Sequence, residues 1–365
     1  MTDGAGQAAS GAASGAASGA GAEQARSRAA AGMKALNRWY RRSTGLWDTG
    51  GWWNAANALT TVVQYTQRTG DDSYVGVIET TFTAAQRAHP GFINSYYDDN
   101  AWWALAWVAA YDLTRDRHYL EAAAAIFDQM TRGWDDVHRG GLWWTTDRTY
   151  KNAIPNELFL LLGARLHQRT GGSGADYLGW ATREWEWFLA SGMIGPDGLV
   201  NDGLTPEGRN NGGTTWTYNQ GVILGGLAAM HEITGDPGYL DHGERIAGAV
   251  LRTLTVPAAG AAGEDAPGIL TEPCERSGPR CNSDQAQFKG IFVRNLYDFG
   301  QRCPRPAYRA FILANAESIW ANARNWRNRF GLRWTGPYDG ADAVRQSSAL
   351  DALTAAVGLA SHGAE

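Results

Sequence analysis

Two kinds of apolar segment alternate along the chain. Stretches such as Ala101–Tyr111 and Leu158–Leu166 are apolar nearly all round, which requires burial on every side. This kind predicts helices at roughly 53–69, 99–114, 156–170, 218–234, 285–301 and 346–361. Others, such as Tyr308–Trp326 with Arg309, Glu317, Arg324 and Arg327, keep one wet face. They predict amphipathic helices near 24–42, 73–88, 118–132, 177–190, 240–254 and 307–325. Strand signals are weak throughout. Six fully buried helices inside six amphipathic ones make an all-α fold, an (α/α)6 barrel of six helical hairpins.

The helix ends carry a repeat. Gln64–Asp71, Ala110–Asp116, Leu166–Gly171 and Met230–Asp236 each close an apolar helix, and a tyrosine (Tyr74, Tyr119, Tyr177, Tyr239) opens the next helix a few residues later. The threonines Thr69, Thr114, Thr170 and Thr234 recur 45, 56 and 64 residues apart. Glycine follows three of these four ends, where it supplies a left-handed cap. The short turns therefore lie at the C-terminal ends of the inner helices, and the long loops all enter their N-terminal ends on the opposite rim. Those loops carry Trp47–Trp53, Ser95–Asp99, Trp143–Asp147, Asn210–Gln220, the Cys274–Cys281 segment and Gly336–Asp339. Aromatic, amide and acidic side chains so gathered on one rim of a rigid scaffold point to a binding or catalytic site there.

Composition narrows the field. Thirty-two basic residues against 37 acidic ones give a net charge of −5, with no basic stripe for nucleic acid. Trp 17, Tyr 14 and Phe 10 supply flat faces that serve core packing and, in loops, stacking on sugar rings. Cys274, Cys281 and Cys303 form no disulfide framework; Cys274 and Cys281 either pair locally or remain reduced. No HExxH or CxxC pattern suggests a metal, and Asp197 and Asp202 in their Gly-rich loop lack an EF-hand pattern, so neither metal nor cofactor is expected. The Gly/Ala/Ser tract from Met1 to about Ala22 has too little apolar surface to order itself, which predicts a disordered tail over 1–22 and a single domain over 23–361. It lacks the basic start and apolar core of a signal peptide, no apolar run is long enough to span a membrane, and a monomer is expected.

The chemistry concentrates at Ser95-Tyr96-Tyr97-Asp98-Asp99-Asn100, where a loop becomes the second inner helix. Splitting a glycosidic bond takes two carboxyl groups, one protonated toward the leaving oxygen and one ionised. Asp98 and Asp99 are adjacent acids in an aromatic-rich loop, and Cα atoms about 3.8 Å apart allow a retaining enzyme's ~5–5.5 Å carboxyl separation without forcing it. Two close like charges also raise one partner's pKa. An acid pair at a helix start equally serves as a cap with a solvated neighbour, and chemistry alone leaves both open. Asp71-Asp72, in a short turn on the other rim, and Asp135-Asp136, leading into Gly140-Gly141, need only turn or capping roles.

Tyr96-Tyr97-Asp98-Asp99-Asn100-Ala101-Trp102-Trp103 resembles the paired-aspartate signature of glycoside hydrolase family 76, the bacterial and fungal endo-α-1,6-mannanases. Lys151–Phe159, Trp216–Gly221 and Phe288–Arg294 resemble that family's segments in the same order, and the likeness runs from about 38 to 355. The resemblance implies an (α/α)6 barrel that cleaves α-1,6-linked mannan or mannose oligosaccharides with retention, Asp98 as nucleophile and Asp99 as general acid/base. It also implies substrate contacts from Tyr97, Asn100, Asn152, Trp216, Tyr218, Asn219, Gln220 and Lys289. Family members that act on cell-surface mannan are exported, and the chain departs from them in showing no signal. Some fungal relatives transfer glycans instead of hydrolysing them, which makes a transglycosidase one alternative and a non-catalytic mannan-binding barrel another. A sugar 2-epimerase would rest on rim histidines, yet His167 and His231 fall at the C-terminal ends of inner helices.

Overall fold

The computed structural model describes residues 5–258, 266–277 and 281–361. The elements run α1 (Ala5–Leu36), β1 (Tyr40–Arg41), β2 (Leu46–Trp47), α2 (Trp52–Thr69), α3 (Gly76–Ala85), α4 (Tyr97–Thr114) and α5 (Arg117–Met130). They continue with α6 (Ala153–Thr170), α7 (Tyr177–Ser191), α8 (Thr217–Thr234), α9 (Gly238–Thr253), β3 (Thr255–Val256) and β4 (Ile269–Leu270). The last are α10 (Pro273–Ser277), α11 (Phe288–Arg302), α12 (Pro306–Asn322) and α13 (Ala343–Ser361).

The most fully buried helices are the inner ring, although two of them, α2 and α11, carry many polar side chains. Neighbours pack in the order α2, α4, α6, α8, α11, α13 and back to α2, which closes a barrel. Each inner helix has an amphipathic partner outside it: α3 on α2, α5 on α4, α7 on α6, α9 on α8 and α12 on α11. The sixth hairpin joins the two ends of the described chain, because α1 packs against α13. Burial follows from this layering. In α4, Ala101, Trp103, Ala104, Ala106 and Trp107 are fully buried, whereas α9 buries only one stripe that includes Ile246, Ala247 and Val250. The inner helices approach closely where side chains are smallest. A Cβ on Gly221 of α8 would lie 2.5 Å from the Phe292 Cα of α11, and one on Gly290 of α11 2.4 Å from the Ser348 carbonyl oxygen of α13.

Gly70, Gly171 and Gly235 end α2, α6 and α8 in the left-handed region, as the repeat predicts. The glycine-less end of α4 adopts the same turn with Arg115 at φ 64°. Two features differ from the sequence pattern. Helix α1 runs through residues 5–22, where the tract is expected to be without order; its alanines favour helix intrinsically, and further along Ala25 and Ala29 pack against the core. Residues 1–4 of the tract lie outside the described residues. The second feature is a pair of two-residue strand ladders, β1 with β2 and β3 with β4, within the entering loops. Cys274 and Cys281 form a disulfide, Cα atoms 5.3 Å apart, and Cys303 is free and buried; residues 278–280 between them lie outside the described residues. No described helix is long and apolar enough to cross a membrane.

Candidate active site

The loops entering the inner helices are tied to one another before they reach the helix ends. The Tyr97 N–H donates to the Trp144 carbonyl (2.9 Å) and the Thr146 N–H to that of Ser95 (3.0 Å), so Trp144 lies beside the start of α4. The Ala153 N–H donates to Asp202 O (2.8 Å) and the Leu204 N–H to Lys151 O (3.0 Å), which brings the Asp202 loop to the start of α6. Lys151 anchors this belt: fully buried, it donates to Asp135 Oδ1 (2.8 Å) and to the carbonyls of Val137 (2.6 Å) and Gly140 (2.7 Å). Asp135 also accepts from the Trp143 indole (2.7 Å), so the Asp135-Asp136 pair serves its loop.

Together these loops enclose a cleft of about 500 Å³ over the N-terminal ends of the inner helices. Asp98 and Asp99 stand in it on the first turn of α4, with Trp102 one turn further on. Trp53 from α2, Tyr218 from α8 and Phe288 from α11 supply rings; Tyr218 stacks on Phe288 at 3.8 Å. Asn152, Tyr96, Trp144, Tyr150, Asp202 and Asp284 complete the lining, which holds no basic side chain among the described residues. The arrangement suits a neutral, hydroxyl-rich ligand, since rings cover C–H faces and carboxylates and amides pair with hydroxyls.

The two candidate carboxyls are held differently. Asp98 Oδ2 accepts from the Trp144 indole N–H (2.9 Å) and its Oδ1 from the Asp99 backbone N–H (3.0 Å). Asp99 Oδ2 accepts from the Asn94 amide (2.7 Å). Tyr96 is the N-cap of α4 and its side chain makes no capping bond, so capping engages a single oxygen of the pair. Burial pushes the Asp98 carboxyl well above the ordinary carboxylate range, with the Asp99 charge adding to it, and outweighs both donors. Burial raises Asp99 as well, against the Asn94 bond and with the help of the Asp284 charge. Asp284 is itself held by the Trp53 indole (2.9 Å), and Asp202, raised by burial, accepts from Tyr150 Oη–H (2.7 Å).

Of the other residues expected to touch substrate, Asn152 and Tyr218 line the cleft, and the Asn152 side-chain oxygen has no partner among the described residues. Trp216, the N-cap of α8, packs edge-on against Phe288 at 5.7 Å. The rest lie in the wall behind. Tyr97 is buried against Gly133. Asn100 clamps the loop ahead of the helix, accepting from the Asn94 N–H (2.8 Å) and donating to its carbonyl (3.1 Å). Gln220 gives both ends of its amide to the Val200 backbone at 2.8 Å, and Asn219 is fully buried. Lys289 is fully buried, paired with Glu275 (2.5 Å) and bonded to the Leu332 carbonyl (2.8 Å). Asn100, Gln220 and Lys289 bond to backbone groups of the long loops, and the Asn219 amide has no partner among the described residues; as polar residues near helix starts, their sequence positions look like those of ligand contacts. The pattern missed Asp284, Tyr150 and Phe288 as lining groups. It also missed Glu272, which does not line the cleft but accepts from the Thr217 N–H (3.0 Å), so that a residue from the Cys274 loop caps α8; burial pushes it up to about 8. No cluster of three or more metal-ligating side chains occurs among the described residues.

The profile of Glycosyl hydrolase family 76 matches residues 23–363. The chain belongs to that family. It is accordingly a glycoside hydrolase, acting on O-glycosyl bonds, on an all-α barrel. The mannan endo-1,6-alpha-mannosidase DCW1 of Saccharomyces cerevisiae is 27% identical over 347 residues, covering 86% of this chain and 74% of its own. DCW1 of Candida albicans is 28% identical over 336 residues, covering 83% and 72%. The solved α-1,6-mannanase of Salegentibacter sp. HEL1_6 superposes with a TM-score of 0.78 at 27% identity, over 92% of this chain and 99% of that one. An inactive variant of that mannanase, with two consecutive aspartates replaced by alanine, is solved in complex with α-1,6-mannotetrose (TM-score 0.78, 25% identity, over 92% of this chain and 99% of that one).

Proposed function

We propose that this family 76 barrel is one catalytic domain over 23–361 that cleaves α-1,6-linked mannose chains internally and with retention of configuration. The observation that carries the reading is the adjacent Asp98 and Asp99 pair on the first turn of an inner helix, in a cleft walled by aromatic rings. The mannosidase names of the relatives, and the mannotetrose-bound variant whose two altered positions are consecutive aspartates, support the substrate and the pair alike.

In this mechanism the Asp98 carboxylate attacks the anomeric carbon while Asp99 protonates the departing glycosidic oxygen. A water then attacks the mannosyl–Asp98 ester from the face the leaving group vacated. Asp99 takes the water's proton, and Asp98 leaves as carboxylate. The hydrogen bonds support this division. Asp98 accepts from two N–H groups, which favours its anion, and Asp99 from one amide, which leaves an oxygen for the proton. Burial lifts Asp98 further than Asp99, which by itself points the other way. Part of that lift is the charge of Asp99, which disappears once Asp99 holds the shared proton, so the two carboxyls titrate as one unit. The hydrogen-bond pattern is what supports the proposed roles. Asn152, Tyr218 and the rings of Trp53, Trp102 and Trp144 orient the sugar.

Incubation with linear α-1,6-mannan tests the reading. Short mannose oligosaccharides from the middle of the chain are the expected result. Tight mannan binding with no products would restore the binding-protein alternative.

A further inference from the structure

A second cavity lies on the barrel axis. It holds about 220 Å³, room for roughly seven waters, and reaches from Trp102 to the C-terminal ends of α2, α4, α6 and α11. Trp102 lines both this cavity and the cleft, so one indole separates them. The linings are opposite in character. Four guanidiniums (Arg68, Arg165, Arg169 and Arg294) face the axial cavity.

Their charge is not fully met. Arg169 pairs with Asp112, and Arg294 with Asp351 (3.3 Å) and the Asn57 amide oxygen (2.6 Å). Arg68 and Arg165 share one carboxylate, Asp298, at 3.5 and 3.4 Å. Four cations thus stand against three anions, and the least well paired two are neighbours. Arg68 lies over the Tyr297 ring at 4.1 Å, yet among the described residues its buried Nη1 has no hydrogen-bond partner, and neither does the Gln64 side-chain oxygen on the same wall. Burial pulls the Arg165 guanidinium below its ordinary value, a desolvation cost that a bound anion would offset.

A purely structural account is that the arginines neutralise carboxylates and the partial negative charge of the inner-helix C-termini. That account needs neither an open cavity nor an orphaned guanidinium N–H. We propose that the axial cavity binds a compact tetrahedral oxyanion of phosphate type, entering from the rim opposite the cleft and held by Arg68 and Arg165. Two guanidiniums sharing one carboxylate have N–H groups left over to turn to such an anion, whose charge and geometry they match.

Calorimetric titration of the full chain with inorganic phosphate at low ionic strength, against a chloride control of equal ionic strength, tests the site. The expected result is saturable one-to-one binding of phosphate that chloride does not reproduce, and competition by sulfate. Arg68→Gln should weaken binding at least tenfold. Gln67→Glu, an exposed substitution at the mouth that adds a negative charge, should weaken it several-fold without touching the interior. Phosphate heats no different from the chloride control would overturn the proposal. Wild-type affinity in Gln67→Glu would do so too, and it decides the matter alone if Arg68→Gln does not fold.

Discussion

The molecule carries an Asp-Asp dipeptide on each rim, and Asp71-Asp72 and Asp98-Asp99 live in opposite surroundings. Asp71-Asp72 occupies the tight turn after α2. There Asp71 accepts from the Ser73 hydroxyl and N–H (3.0 Å) and from the Tyr65 hydroxyl (2.6 Å), and these bonds hold its carboxyl below the ordinary range. Asp98-Asp99 sits where long loops close over a helix start, and burial pushes both of its carboxyls up. Neighbouring acids therefore say nothing of role. Solvation and donors do: a turn that satisfies a carboxylate makes it inert, whereas a walled cleft that under-satisfies two of them keeps a proton available near neutrality.

The sharpest way to break this comparison is substitution at both rims. Asp98→Asn and Asp99→Asn should each slow cleavage of α-1,6-mannan by about 10²–10⁴-fold, while Asp71→Asn leaves the rate within about twofold; initial rates of reducing-end release measure both. Trp144→Phe comes next. It removes the indole donor from Asp98 Oδ2, a hydrogen bond to a charged group worth about 1.5–3 kcal/mol, so kcat/KM should fall about tenfold or more. The acid limb of its pH profile should move upward, since that donor lowers the pKa of Asp98, which works as the anion.

Stability should respond with opposite sign at the two rims. The Asp98-Asp99 pair titrates above the unfolded carboxylates, so the native state holds the extra proton and stability falls as pH rises above about 4. Asp98→Asn removes that penalty: its Tm should exceed that of the wild type at about pH 8 and converge with it near about pH 4. Asp71 behaves in the reverse sense. Its depressed pKa contributes stability above the unfolded value that is lost as pH falls through the folded one. Asp71→Asn should therefore lower stability at neutral pH by about 0.5–1 kcal/mol, small because the turn is solvated. Thermal melts across that pH range check both, and equal signs would end the comparison.

The helical hairpins were legible because their signal is local and periodic. Apolar residues on all faces mark α4 and α6 as inner, and Thr-Gly ends mark the turns. The place of Asp98 and Asp99 in the cleft was legible because the topology puts the start of α4 on the loop-rich rim. What escaped depends on contacts between distant residues. Lys289 and Gln220 have the composition of ligand groups, yet their partners, Leu332 and Val200, lie 43 and 20 residues away and take them into the wall. Asp284 shows the converse: an unremarkable loop acid that enters the cleft because Trp53, 231 residues earlier, holds it there. The Ala-rich start of α1 escaped for another reason, since intrinsic helix propensity competes with low hydrophobicity in the same tract.

The central claim is that Asp98 is the nucleophile and Asp99 its acid/base partner. A slow-reacting fluorinated α-mannosyl donor, followed by mass spectrometry of the digested protein, tests it directly. The account predicts a single mannosyl ester on Asp98. An ester on Asp99, or on Asp202 or Asp284 in the same cleft, would contradict it.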